Sequence, residues 1–141
     1  MNPVVVDAST ALAWCFPDET SDYADQVLVA LEGKTMLVPA VWSLEIANAV
    51  LVGERRQRLH QPEIKQFTTL LESLSLIQDT RPLANNINNV LPLARRHGLS
   101  AYDAAYLELS IRRSAPLATL DARLRKAAKA AGIKIFRGRA A

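Results

Sequence analysis

"VVVDAST", residues 4–10, decides how the rest of the chain is read. Three consecutive valines leave no polar face, so they read as a short strand buried on both sides. That is the signature of a parallel sheet covered by helices. The strand stops on Asp7, and an apolar helical turn, "ASTALAW", follows at once. A carboxylate at the end of a buried strand needs a reason. It can be a helix N-cap, accepting a bond from a free backbone N–H. It can also face the crevice beyond the carboxyl ends of the strands, where open α/β sheets gather their ligands.

Working outward, "SDYADQVLVALEG" reads as an acidic helix closed by Gly33, and "TMLVP" as a second short strand. Helices follow from about Ala40 to Arg56 and from about Pro62 to Ser75; proline suits a first helical turn, where its missing N–H costs nothing. "LSLIQ" reads as a third strand and "LANNINNVLPLARRHG" as a helix ending at Gly98, although its four asparagines are poor helix formers. "LSAYDAAYLELSIRRS" is a helix, "PLATL" a strand, "DARLRKAAKAAG" a helix and "IKIF" a last strand. Strands alternating with helices imply βαβ units, a parallel sheet and helices on both faces.

The 141 residues predict a single domain over 1–141 with a real core; half are hydrophobic and 22% charged. No apolar run approaches the roughly 18 residues that span a bilayer. The first residues lack the basic start and apolar stretch of a signal peptide, so a cytoplasmic location without membrane contact is expected. A single cysteine excludes an internal disulfide and a Cys-rich zinc site. Cys15, among Leu12, Ala13, Trp14 and Phe16, reads as a small buried hydrophobe. Residues 1–50 carry a net −6 and residues 51–141 a net +9; the last nineteen hold seven bases and no acid. Such a face attracts polyanions where it lies near chemistry.

Three further acids share the apolar setting of Asp7. Asp121 ends "PLATL" and opens a helix, so it repeats the strand–carboxylate–helix order, with a helix cap as the plain alternative. Asp103 stands at S-x-x-D spacing from Ser100, a capping box in its plain reading. Glu45 lies in "PAVWSLEIANAVLVGE", a helix apolar nearly all round and therefore expected to be buried. Burying an unpaired carboxylate costs several kcal/mol, so Glu45 needs a partner, either a salt bridge from elsewhere or a bound ion. Carboxylates converging on one sheet edge repel and raise one another's pKa. A divalent cation removes that repulsion, and hard oxygen ligands suit Mg²⁺ or Mn²⁺.

Asp7 in "VVVDASTALAW", Glu45 in "PAVWSLEIANAVL", Asp103 in "ARRHGLSAYDAAYLELS" and Asp121 in "PLATLDARLRKAAKAAGI" resemble the four acidic motifs of PIN domains, and within them the VapC toxins of bacterial toxin–antitoxin systems. The resemblance covers essentially the whole chain. It implies a three-layer α/β/α fold with a short parallel sheet of four or five strands. It also implies a Mg²⁺- or Mn²⁺-dependent endoribonuclease, usually a homodimer, inhibited by a small cognate antitoxin. On this reading Asp7, Asp103 and Asp121 hold metal, and Glu45 binds a second metal or orients the water. Ser9 and Thr119 support the ligand carboxylates, and Asn48, one turn from Glu45, steadies it. Arg55, Arg56, Arg58, Arg112, Arg113 and the C-terminal bases are the expected phosphate contacts. Trp14 and Trp42 are candidates for the antitoxin or dimer surface.

His60 and His97 both sit beside arginines near helix ends, not as the pair a metal-free ribonuclease uses. Attack by water should therefore leave a 5′-phosphate. Rival folds fare less well. A haloacid-dehalogenase-type phosphotransferase wants a second acid two residues after the first, where Ser9 stands, and a receiver domain built on Asp79 lacks its late lysine. A non-catalytic module of the same fold, or a housekeeping RNA-processing nuclease, is the alternative function.

Overall fold

A computed structural model describes residues 2–138. Its sheet has four strands, all paired in parallel, in the order β3-β2-β1-β4: β1 (Pro3–Val6), β2 (Thr35–Pro39), β3 (Leu76–Asp79) and β4 (Leu117–Ala118). Val4, Val5 and Val6 are buried, as is every residue of β2, because helices cover both faces of the inner strands. The edge strand β3 is only half covered.

On one side α1 (Ala8–Ala13) packs against α2 (Asp22–Ala30) and α3 (Val41–Arg55). On the other, α6 (Ala101–Arg113) crosses β1, β2 and β4 between α5 (Leu91–His97) and α7 (Ala122–Ala130). α4 (Gln61–Ser73) closes on α3 through the buried Phe67. This is the three-layer arrangement expected, with the carboxyl ends of all four strands at one edge.

Three elements differ from expectation. The Asn-rich segment begins as a π-helical turn, Asn86–Val90, before α5. Pro92 has no N–H for the carbonyl four residues back and its ring would crowd it, so the preceding turn widens. Gly98 ends α5 in the left-handed conformation, as its position suggests. "PLATL" pairs only through Leu117 and Ala118, because Thr119 and Leu120 turn their bonds toward Asp7 and Ser9. "IKIF" is reduced to one parallel bridge, Ile135 beside Leu117. Arg139, one of the C-terminal bases, lies outside the described residues.

The core gathers β1, β2, Phe16, Tyr106, Leu107, Leu117 and Leu124. Gly53, on α3, faces it so closely that an added Cβ would meet the Phe16 ring at 2.6 and 2.7 Å. That ring is 3% exposed and lies under the Arg58 guanidinium, 4.4 Å from its centroid. Arg58 in turn is tied to Asp18 and Glu19, so the ring has little room to yield. Gly53→Ala should therefore destabilise despite alanine's better helix propensity, by about 1–2 kcal/mol. A urea midpoint equal to the wild type's would refute this packing.

Candidate active site

Asp7 leaves β1 in an extended conformation and caps α1, its Oδ1 accepting from the Thr10 N–H at 3.0 Å. The Ser9 hydroxyl reaches both carboxylate oxygens, at 2.8 and 2.9 Å, and the Thr119 hydroxyl donates to Oδ2 at 2.5 Å. The plain reading as a helix cap is therefore correct but incomplete. Asp7 is 4% exposed, and burial pushes its pKa up despite these donors. One hydroxyl gives one proton, so Ser9, Thr119 and the Thr10 N–H supply three bonds to this carboxylate.

Thr119 also binds the next acid. Its Oγ1 accepts from the Asp121 N–H at 2.9 Å, while Ser9 Oγ accepts from the Leu120 N–H at 3.2 Å. β1 and β4 are thereby stitched together just past their last paired residues. Asp121 caps α7 through Oδ1, which takes the Arg123 and Leu124 N–H groups, and Oδ2 is left unused. Arg125, one of the C-terminal bases expected to contact phosphate, is engaged within the fold: it donates from Nε to the Thr119 carbonyl at 2.7 Å and lies over the Tyr23 ring.

The other two acids arrive on helices. Asp103 is in the first turn of α6, its N–H bound by the Ser100 hydroxyl at 3.1 Å. Burial raises its pKa, and the neighbouring charge of Asp121 raises it further. Glu45 projects from α3 and accepts a 2.5 Å bond from the Tyr106 hydroxyl. Its pKa is raised by burial first, then by Asp103 and Asp7, with the Tyr106 bond opposing. Burial and the charge of Glu45 likewise drive the Tyr106 phenol above its ordinary range. The four carboxylates thus feel one another in sequence: Asp7 with Glu45, Glu45 with Asp103, Asp103 with Asp121.

Among the described residues none of the four is in an ion pair. Nor do any three His, Cys, Asp or Glu side chains stand close enough, as placed, to hold one ion. The donor set still suits a hard cation. Among the described residues, Asp121 Oδ2 and Glu45 Oε2 carry no hydrogen bond, and no side-chain cation pairs with Asp7, Glu45, Asp103 or Asp121.

Several expectations are revised by the structure. Glu45 is bound by Tyr106, and Asn48 is exposed. The bond spans 61 residues; the available clue was Tyr106 standing three after Asp103, on the same helix face. α3 is not buried all round: Leu44 is 72% exposed and Leu51 40%. Trp42 is buried, and Trp14 packs on the core with its indole N–H on the Ala24 carbonyl at 2.8 Å, so neither is an exposed docking residue. Arg112 is not a free phosphate ligand. Its guanidinium is closed by Asp79 and Glu108, at 2.8 Å each. Arg55 and Arg56 are exposed at the end of α3. Cys15 is buried, its thiol pushed up to about 11 chiefly by burial, as befits an inert packing residue.

Known proteins place this geometry. The PIN domain family matches residues 4–130. Ribonuclease VapC3 of Pyrobaculum aerophilum is 30% identical over 121 residues, covering 86% of this chain and 91% of that protein. The crystal structure of PAE2754 from the same organism superposes with a TM-score of 0.66 at 24% identity, covering 89% of this chain and 79% of that one. FitAcB from Neisseria gonorrhoeae superposes with a TM-score of 0.58 at 16% identity, covering 95% and 96%. FitAB bound to an IR36 DNA fragment gives 0.60 at 18%, covering 94% and 93%.

Proposed function

The chain belongs to the PIN domain family, and on that premise we propose that it is a metal-dependent endoribonuclease, the toxin of a toxin–antitoxin pair acting in the cytoplasm. The observation that carries the reading is Asp7. It is a buried, hydrogen-bonded carboxylate at a strand end, linked through Glu45 to Asp103 and Asp121, with no counter-ion among the described residues.

Asp7, Asp103 and Asp121 would hold Mg²⁺ or Mn²⁺, with Glu45 binding beside them or orienting the attacking water. Such an ion lowers the pKa of bound water and stabilises charge on the phosphate oxygens. The chain's own residues do the positioning. Ser9 and Thr119 fix the Asp7 carboxylate, and Thr119 ties it to the Asp121 backbone. The Tyr106 hydroxyl fixes one oxygen of Glu45 and leaves the other available for a water proton. His60, whose N–H is bound by Glu63 at the start of α4, and His97, on α5, supply no acid–base pair at this edge. Arg55 and Arg56 are exposed phosphate contacts on this reading.

A homodimer and a small antitoxin complete the assembly. The groove of about 490 Å³ between α3 and α4, lined by Ile46, Val50, Leu51, Ile64 and Leu71, is the candidate antitoxin seat; Trp42 is buried beneath it, and among the described residues its Nε1 has no hydrogen-bond partner.

The test is RNA digestion with Mg²⁺ or Mn²⁺ and with EDTA, followed by end-group analysis. Cleavage that needs the cation and leaves a 5′-phosphate is expected. A 2′,3′-cyclic phosphate, or equal cleavage in EDTA, would overturn the proposal.

A further inference from the structure

Three basic residues from the end of the chain line one groove. Its cavity of about 510 Å³ lies between the end of α7 and the segment that pairs with β4. Lys129, Lys134 and Arg137 line it, together with Ile133, Ile135 and the half-buried Phe136. Among the described residues no acid lines it, and none occurs in the sequence from residue 122 to 138. All three cations are exposed and, among the described residues, unpaired.

The groove is connected to the acids by the chain itself. α7 starts at the Asp121 cap and exposes Arg123, Lys126 and Lys129 at three-residue steps. The segment after α7 then runs parallel to β4, back toward the edge where Asp7 and Asp121 sit. Its position is held by the Phe136 N–H on the Leu117 carbonyl, 2.8 Å, and by the Tyr23 hydroxyl on the Phe136 carbonyl, 2.7 Å. From the Asp121 cap to the far end of α7, where Lys129 stands, is about 14 Å. That is roughly four stacked nucleotides at 3.4 Å each.

We propose that this groove is an exosite for single-stranded RNA, taking one nucleotide of the substrate strand with its base against Phe136 and its phosphates on Lys129, Lys134 and Arg137. It rests on the ribonuclease reading and extends it. An apolar floor with one aromatic suits a base face, and a cation rim free of acids suits phosphates. Arg123 and Lys126 lead the backbone from the groove to the acids. The groove selects for strand length and single-strandedness rather than for a base code, because every base offers a face to stack.

The experiment measures binding of a fluorescein-labelled oligouridylate in EDTA, across a salt series, with cleavage in Mn²⁺ read separately. Lys134→Glu with Arg137→Glu should weaken binding about tenfold and reduce the salt slope by about 1.4, at about 0.7 per lost contact. Phe136→Leu should weaken it about tenfold with the slope unchanged, and Phe136→Tyr should restore it. Cleavage of a trinucleotide, too short to reach the groove, should be unaffected in the charge-reversed variant. Matching thermal unfolding of each variant excludes simple misfolding.

Wild-type affinity and slope in the charge-reversed variant would overturn the exosite. So would failure of Phe136→Tyr to rescue, or loss of poly-glutamate binding with RNA binding intact, which would assign the groove to an acidic protein. If the ribonuclease reading alone fails, the wild type binds the oligouridylate through this groove but cuts nothing in Mn²⁺.

Discussion

Asp7→Ala and Asp103→Asn each reduce RNA cleavage about a thousandfold, and they move stability in opposite directions. The first effect follows from losing a ligand carboxylate: a bound cation contributes several kcal/mol to the transition state, and each 1.36 kcal/mol is a factor of ten. The second follows from how differently the two acids are held. Asp7→Ala strips the acceptor from the Thr10 N–H and the Ser9 and Thr119 hydroxyls at a site 4% exposed, which costs about 1–3 kcal/mol. Asp103 is half-buried, and its pKa is raised by burial and by Asp121. The folded chain therefore holds that proton more tightly than the unfolded chain, whose value is 3.8. The stability this gives is fully present below pH 3.8 and is lost as pH rises through the raised value, so at neutral pH the charged side chain is a net cost. Asp103→Asn removes it, and Tm should be at or above that of the wild type at neutral pH, with the difference closing in acid. Thermal scans of both variants beside a cleavage assay check this. Loss of activity accompanied by equal destabilisation in both would mean that the acids are structural.

The same contrast shows what the sequence could reveal. Strands β1 and β2 were legible because a run buried on both faces tolerates only apolar residues, so Asp7 stood out at the end of one. Asp121 was legible by repetition of that order. Asp103 and Glu45 were legible only as acids in apolar surroundings, since neither cap spacing nor helix pattern says which way a helix points. The partners were harder. Thr119 bonds Asp7 across 112 residues and Tyr106 bonds Glu45 across 61; no local periodicity encodes such contacts. The exposed leucines of α3 misled for a related reason. An apolar helix is buried by something, but the chain alone does not say whether by its own core. The short β4 reflects competition: the Ser9 hydroxyl, which organises Asp7, takes the Leu120 N–H that a longer ladder would use.

Arg112→Ala carries the largest stability effect expected of any single substitution here. Its guanidinium donates to Glu108 from Nε and Nη2 and to Asp79 from Nη1 and Nη2, and Asn85 adds a bond to Glu108 at 3.3 Å. The three charged side chains are 19%, 15% and 9% exposed, so they are largely out of water. The bonds to Glu108 and Asp79 hold the guanidinium pKa above its ordinary value. Removing the arginine takes away the guanidinium that pairs both carboxylates, and breaking a buried pair in this way costs about 3–5 kcal/mol. Lysine should recover only part, because a single ammonium cannot serve both acids as a planar fork does. The damage should also reach the chemistry. Arg112 pins the far end of α6 to the last residue of β3, and the near end of that helix carries Asp103 and Tyr106. Replacing all three charged residues with apolar ones of similar volume should restore most of the stability, because the desolvation cost disappears with the charges. Urea unfolding of Arg112→Ala, Arg112→Lys and the apolar triple variant ranks them. An alanine variant within about 1 kcal/mol of the wild type would show that water reaches these carboxylates and that the network acts as an exposed surface pair.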